Sequence, residues 1–156
     1  MQWQFVSELF QRLQAMGIHT ALDTSGVGNL DAAEKVLQYT DLVICDLKFC
    51  NENDFQTYCH GNLRQVHDFL ALTVRRNVPL WIRQVIVPGL NDTREHISKL
   101  NEQAKQYPNL EKIELLPFRT LCEPKYEELG IPFPLKGTKD CRQDTIHILE
   151  EQLRND

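Results

Sequence analysis

The amino-acid sequence predicts an α/β fold in which helices cover a parallel β-sheet. Apolar segments of strand length, at residues 18–24, 42–45, 79–87 and 112–116, alternate with segments of helical periodicity. Strands that are apolar along their length are typical of parallel sheets, because crossover helices bury them. The 156 residues hold about four βα units, too few for an eight-stranded barrel of roughly 250 residues. Since a helix comes before the first strand, we expect a single incomplete domain over residues 1–156.

Local signals support each element. Gly17 is placed to end the first helix, and Asp31 and Glu34 have the spacing of a capping box that opens the second. Asn62 is placed to begin a longer helix, and the strand at 42–45 is predicted to be buried on both faces. The predicted elements are, in order, a helix at 3–16, a strand at 18–24, a helix at 31–39, a strand at 42–45, helices at 51–59 and from 62, a strand at 79–87, a helix at 92–106, a strand at 112–116 and a helix at 143–153.

Charge and composition exclude several classes of protein. The chain has 17 Lys and Arg against 22 Asp and Glu, a net charge of −5, without the basic cluster of a nucleic-acid-binding protein. Its apolar runs are too short for a membrane span, and its N-terminal residues lack the pattern of a signal peptide. We therefore expect a cytoplasmic protein without a nucleic-acid or membrane partner.

The cysteines indicate reduced thiols rather than a disulfide framework. Their number, five, is odd and their spacing is irregular, as expected for a cytosolic protein. The spacing also matches no standard zinc or iron–sulfur arrangement. The residues are Cys45, Cys50, Cys59, Cys122 and Cys141.

Charged residues follow the strands at the ends where α/β folds build their sites. Asp46 has the strongest functional claim, because a carboxylate directly after an apolar strand needs a partner or a bound cation. Arg83 lies inside an apolar strand and also needs a partner, either a ligand anion or a buried Asp. The residues themselves leave open a structural ion pair of Asp46 with Lys48 and a turn-capping role for Asp23.

Five strings are distributed along nearly the whole chain: GIHTALDTSG at 17–26, TDLVICDLK at 40–48, WIRQVIVPG at 81–89, EKIELLPF at 111–118 and KYEELG at 125–130. In their sequence and in their order along the chain, they resemble the pyruvate formate-lyase activating enzymes. The resemblance implies part of a (βα)6 barrel, a partial TIM-like barrel, whose first two strands are missing here. It also implies that this chain is the C-terminal part of such an enzyme.

The resemblance implies a radical S-adenosylmethionine enzyme that activates a glycyl-radical enzyme such as pyruvate formate-lyase. Members cleave S-adenosylmethionine reductively at a [4Fe–4S] cluster and abstract hydrogen from a glycine of the partner enzyme. A flavodoxin-type protein is the expected reductant of the full-length enzyme.

The resemblance also assigns roles to individual residues. Arg83 would be catalytic, and Asp23, Thr24 and Asp46 would bind a monovalent cation beside the cofactor carboxylate. The residues that would bind S-adenosylmethionine are Asp46, Leu47, Lys48, Val85 and Arg119.

The sequence departs from the family at two places. Arg119 stands where the family usually has a His near the adenosine, and Leu121-Cys122 replaces the following Leu-Gly. The C-x3-C-x2-C loop that binds the cluster, and the Gly-Gly-Glu motif, do not occur in this sequence. The resemblance therefore supplies no iron–sulfur ligands in this chain, which we expect to be inactive alone.

Two other interpretations remain open at this point. The chain could be a non-enzymatic remnant or docking module that keeps the partner-binding face. It could also be an unrelated small α/β enzyme that uses Asp46 and Lys48 as an acid/base pair.

We expect the 156-residue chain to hold no iron–sulfur cluster after anaerobic reconstitution, because its five cysteines lack the family's spacing. Iron and sulfide analysis measures this directly. About four irons per chain, together with formation of deoxyadenosine, would contradict the expectation.

Overall fold

A four-stranded parallel sheet forms the centre of the protein in its computed structural model, which describes residues 2–155. The strand order β1-β2-β3-β4 follows the chain, so each strand lies beside the next. The α/β fold with a parallel sheet is therefore confirmed. The strands are β1 (Ala21–Thr24), β2 (Leu42–Asp46), β3 (Leu80–Ile86) and β4 (Leu110–Pro117).

Helices connect the strands, and side-chain oxygens cap several of their first turns. Asn51, Asn62 and Thr93 each accept a hydrogen bond from a backbone N–H in the turn that follows. Among the described residues, no helix combines the length and apolarity needed to span a bilayer. The helices are α1 (Trp3–Ala15), α2 (Leu30–Leu37), α3 (Glu52–Cys59), α4 (Leu63–Arg75), α5 (Arg94–Ala104), α6 (Glu123–Glu128), which follows a 3₁₀ turn (Thr120–Cys122), and α7 (Gln143–Asn155).

Two of the boundaries that differ from the sequence predictions have a visible physical cause. Asn29, not Asp31, caps α2, since its Oδ1 accepts the N–H of Ala32 at 2.9 Å. Strand β1 begins three residues later than predicted, because the N–H of Thr20 donates to Asp41 Oδ2 at 2.8 Å. A side chain thus satisfies a donor that a longer strand would use in the sheet.

The two faces of the sheet have different surroundings. In β2, Val43 and Cys45 are fully buried, whereas Leu42 and Ile44 are only half-buried, and β3 alternates in the same way. The prediction that 42–45 is buried on both faces is therefore wrong. Because right-handed crossovers follow the strand order, the connecting helices cover one face of the sheet. The other face, which we call the open face, carries the site.

The core lies between the sheet and the helices. Side chains from the covered face of the sheet pack there against α4 and α5. Fully buried members include Val43, Leu80, Ile82, Ile86, Leu70, Ile97 and Leu100.

Gly26 packs against this core in the turn after β1. Its φ is 73°, and a Cβ built on it would lie 3.2 Å from both Cys45 Sγ and Val66 Cγ1. The turn therefore needs glycine for its backbone angle and for the space around it.

We expect Gly26→Ala to lower the free energy of unfolding more than Gly17→Ala does. Gly17 has nearly the same φ, 72°, but a Cβ there meets nothing within 4 Å. Both variants carry the left-handed backbone cost, and Gly26→Ala adds overpacking of ~1–3 kcal/mol. Urea denaturation measures the difference, and equal losses in the two variants would contradict the packing argument.

Candidate functional site

Arg83, in the middle of β3, joins the carboxyl ends of β1 and β2 on the open face. Its Nε donates to Asp46 Oδ1 at 2.7 Å, and its Nη2 donates to the two carboxylate oxygens of Asp23 at 2.7 and 2.9 Å. Asp23 lies on β1, Asp46 on β2 and Arg83 on β3. Planar guanidinium groups bind two acceptors at once, so one side chain ties all three strands together.

The register of the sheet explains why these three residues meet. Asp46 is the direct register partner of Arg83, and Asp23 lies beside Ile44, two residues before Asp46. Side chains two residues apart on a strand share a face, so both carboxylates lie on the open face with Arg83. The sequence left the partner of Arg83 undecided between a ligand anion and an Asp, and the structure places two Asp residues there.

Lys48 completes the charge cluster, which we define as Asp23, Asp46, Lys48 and Arg83. Its Nζ donates to Asp46 Oδ2 at 3.1 Å, so both oxygens of Asp46 are engaged. The ion pair of Asp46 and Lys48 considered from the sequence is thus present. Two carboxylates and two cations make the cluster formally neutral.

The cluster sets the ionisation of Asp46. Burial of Asp46 acts to raise its pKa, but the hydrogen bond from Arg83 and the charge of Lys48 outweigh burial and hold the pKa below its usual value. The pKa of Arg83 is raised in turn, chiefly by its hydrogen bond to Asp46. Asp46 therefore stays a carboxylate well below neutral pH.

Two cavities open beside Lys48. One, of about 430 Å³, is lined by Asp46, Lys48 and residues at the end of α3. The other, of about 320 Å³, is lined by Lys48, Val85 and several aromatic side chains. Lys48, Tyr58 and Cys59 line both cavities, so these three side chains lie between them.

Aromatic side chains form the far wall of the second cavity. The ring of Phe133 stacks on Phe118 with centroids 6.5 Å apart and contacts Tyr126 at 5.0 Å. These residues come from the segment after β4, where no element was predicted and where the structure forms α6. An apolar aromatic wall beside a lysine suits a flat ring attached to an anionic group.

Asn91 is a further residue of this wall that sequence reasoning missed. It is fully buried, its Oδ1 accepts the N–H of Val87 at 2.6 Å, and its Nδ2 donates to the carbonyl of Val85 at 2.9 Å. These bonds fix the turn after β3 and so the position of Val85. The available signal was an Asn two residues after Pro-Gly, where such side chains stabilise turns.

The remaining predicted site residues lie in different environments. The side chain of Leu47 is fully buried, and its N–H donates to the carbonyl of Arg83 at 3.0 Å. Thr24 alternates with Asp23 along β1, and its Oγ1 accepts the N–H of Gly26 at 3.1 Å. Arg119 donates from Nη1 to the carbonyl of Cys141 at 3.2 Å and lies 3.6 Å from the carboxylate of Asp140.

The thiols do not form an iron–sulfur site among residues 2–155. Burial raises the pKa of Cys45 to about 12 and that of Cys50 to about 11, which disfavours the thiolate that binds metals. Within the same residues, no group of three or more His, Cys, Asp or Glu is arranged to hold a metal ion. These residues therefore do not fit a [4Fe–4S] cluster.

Comparison with known proteins identifies close relatives. The pyruvate formate-lyase-activating enzyme of Clostridium pasteurianum is 36% identical over 154 residues, which are 99% of this chain and 64% of that protein. The corresponding enzyme of Streptococcus mutans is 35% identical over all of this chain and 62% of its own length. The pyruvate formate-lyase 1-activating enzyme of Escherichia coli K12 is 35% identical over 97% of this chain and 64% of its own length. This chain thus spans less than two thirds of these relatives, and no family model matches it.

A solved structure shows the same fold. A domain of pyruvate-formate lyase-activating enzyme from Bacteroides vulgatus superimposes with a TM-score of 0.77 over 98% of this chain and 86% of that one. The sequence identity is 19%. The four parallel strands and their helices are therefore arranged as in that domain, as expected for part of a TIM-like barrel.

We expect Asp46→Asn to lower the free energy of unfolding by ~1 kcal/mol at pH 7, because Arg83 and Lys48 lose a charged acceptor. The lowered pKa of Asp46 means that its carboxylate stabilises the fold above the ordinary Asp pKa and loses this effect as the pH falls through the folded-state pKa. The difference between the two proteins should therefore shrink in acid. Chemical denaturation at pH 7 and near pH 3 measures it, with the exposed Glu102→Gln as control. A difference that is independent of pH would contradict this account.

Proposed function

From the kinship of this chain with the pyruvate formate-lyase-activating enzymes, we propose that it is the C-terminal part of an enzyme that activates a glycyl-radical enzyme. The observation that carries this proposal is 36% identity to such an enzyme over 99% of the chain. The matching fold and the strand-end charge cluster support it. Pyruvate formate-lyase or a relative would be the partner, and a flavodoxin-type protein would be the reductant of the whole enzyme in the cytoplasm.

Asp46, Leu47 and Lys48 would hold the ribose and aminoacyl end of S-adenosylmethionine. The carboxylate of Asp46 offsets positive charge and accepts hydrogen bonds, and the Lys48 ammonium suits the ligand carboxylate. Both side chains line the first cavity, so they are accessible to a ligand. When bound and reductively cleaved, S-adenosylmethionine supplies the species that takes hydrogen from a glycine of the partner.

The second cavity would receive the adenine. Val85 and the aromatic wall offer an apolar surface of suitable shape, and Lys48 links this cavity to the first. Arg119 would approach the adenosine in place of the family's His, and in this structure its Nη1 donates to the carbonyl of Cys141. Stacking of its planar guanidinium on a base is a known mode of recognition.

Asp23, Thr24 and Asp46 would bind a monovalent cation beside the ligand carboxylate. In this structure Arg83 already bridges the two carboxylates, and the hydroxyl of Thr24 is bonded to Gly26. A cation would therefore share the carboxylates with Arg83. Arg83 itself would face substrate or cofactor from the centre of the cluster as the catalytic residue.

The charge cluster disfavours the acid/base enzyme considered from the sequence. Asp46 is held as a carboxylate by two cations, and its pKa is below the usual value. A general acid or base works best with a pKa near the operating pH. The geometry thus supports binding of a charged ligand better than proton transfer by Asp46 and Lys48.

We expect Lys48→Met to weaken binding of S-adenosylmethionine about tenfold or more, the effect of removing a charged hydrogen-bond donor. Equilibrium dialysis of the chain with radiolabelled ligand measures this. Lys99→Met is a matched control, because Lys99 is also an exposed lysine paired with a carboxylate, that of Glu95. Equal affinities in both variants, or no binding to the unaltered chain at millimolar ligand, would contradict the site.

The proposed function itself is tested by a chimera. This chain replaces the matching 64% of the Clostridium pasteurianum enzyme, and the glycyl radical formed on pyruvate formate-lyase is measured by electron paramagnetic resonance. We expect radical formation, and its loss in the same chimera carrying Asp46→Asn. A chimera that holds its cluster but forms no radical would contradict the proposal.

A further inference from the structure

A buried chain of hydrogen bonds lies behind Asp46 and Lys48, on the covered side of the sheet. Gln84 of β3 is 1% exposed and donates from Nε2 to the carbonyl of Leu47 at 2.7 Å. Its Oε1 lies 2.9 Å from Nε2 of His96, in the first turn of α5. Neither Gln84 nor His96 belongs to the charge cluster.

The direction of these bonds follows from their donors and acceptors. A carbonyl can only accept, so the amide nitrogen of Gln84 faces Leu47 and the amide oxygen faces His96. Nε2 of His96 must therefore carry the hydrogen. Burial lowers the pKa of His96, and the positive end of the α5 dipole also disfavours its charged form. The ring is thus a neutral donor to Gln84.

The carbonyl of Leu47 depends on Gln84 for its hydrogen bond, because β2 ends one residue earlier, at Asp46. The N–H of Leu47 still donates to the carbonyl of Arg83, but the carbonyl of Leu47 lies beyond the strand and accepts from the side chain of Gln84. Leu47 is fully buried, so without Gln84 its carbonyl would lack water as well as a protein donor.

A second bond from α5 supports the residues that follow. Gln103 donates from Nε2 to the carbonyl of Cys50 at 2.7 Å, and Cys50 Sγ lies 3.7 Å from Nε2 of His96. The loop after β2 is therefore held at Leu47 by Gln84 of β3, which is itself bonded to His96 of α5, and at Cys50 directly by α5. Lys48 lies between these two attachments.

We propose that Gln84 and His96 are positioning residues that fix the Asp46-Leu47-Lys48 segment for ligand binding. This inference rests on the proposed function of that segment, but the attachment of the loop is tested without any ligand. His96 acts through Gln84, and Gln84 acts through the carbonyl of Leu47. Neither residue contacts the ligand.

The test compares hydrogen exchange, measured by NMR, at two amides of β2 and its extension. The Leu47 N–H reports on opening of the loop after β2. The Val43 N–H, which is bonded to the carbonyl of Pro79, reports on opening of the sheet itself. We expect Gln84→Met and His96→Leu to speed exchange at Leu47 about tenfold or more relative to Val43. His96→Gln, which restores an N–H donor, should remain near the unaltered protein.

His67→Leu is the matched control. His67 also makes a hydrogen bond from a helix, at 2.7 Å to the hydroxyl of Tyr107, but it has no link to Leu47. It should leave the ratio of the two exchange rates unchanged. An unchanged ratio in Gln84→Met and His96→Leu, or the same loss in His96→Gln as in His96→Leu, would overturn the proposal.

Ligand affinity separates this proposal from the proposed function. We expect the affinity for S-adenosylmethionine to fall about tenfold in Gln84→Met and His96→Leu and to be retained in His96→Gln. Normal affinity in variants with a loosened loop would overturn the positioning role. If the unaltered chain bound no S-adenosylmethionine while exchange followed the expected pattern, the proposed function would fail and the anchoring of the loop would stand.

Discussion

The site depends on one interaction, the double ion pair in which Arg83 bridges Asp23 and Asp46. The charges of Asp46 and Arg83 would be costly in their partly buried positions unless they neutralised one another. Arg83 and Asp46 have side chains that are only 20% and 21% exposed, so their pairing is shielded from solvent more than a surface salt bridge is. The bridge connects β1, β2 and β3 on the open face. Lys48 is bonded to the Asp46 carboxylate of that bridge, and it lines both cavities.

The charge cluster is accessible to a ligand because the connecting helices cover only one face of the sheet. Helices bury the covered face of the sheet, and the polar ends of the strands lie on the face that they leave open. Residues behind the sheet are nevertheless connected to the segment that carries Lys48. Gln84 is bonded on one side to His96 of α5 and on the other side to the carbonyl of Leu47. The site therefore combines the charge cluster on the open face with the neutral, buried pair of Gln84 and His96 on the covered side.

The order of the strands and main helices, and the presence of charged residues at the strand ends, could be predicted from local sequence signals. Apolar strands, helical periodicity and Asn62 as a cap needed no tertiary information. The order of five family-like strings pointed to the activating enzymes that the comparisons confirm as relatives.

Other features could not be predicted from local signals. The cap of α2 was assigned to Asp31 rather than Asn29, because both residue types can cap a helix and only the backbone geometry decides between them. Burial of 42–45 on both faces was wrong because apolar composition does not show which face the helices cover. Gln84 was missed because a polar residue in an apolar strand is meaningful only when its distant partners, Leu47 and His96, are known.

Our central proposal is that the ends of β2 and β3 form a binding site for S-adenosylmethionine. Titration of the isotope-labelled chain with this compound, followed by NMR of the backbone amides, tests it most directly. We expect the largest changes in chemical shift at the amides of Asp46, Leu47, Lys48 and Val85. The amides at the N-terminal ends of the same strands should change little. Absence of saturable changes, or a cluster of changes elsewhere, such as around Trp3 and Leu30 between α1 and α2, would contradict it.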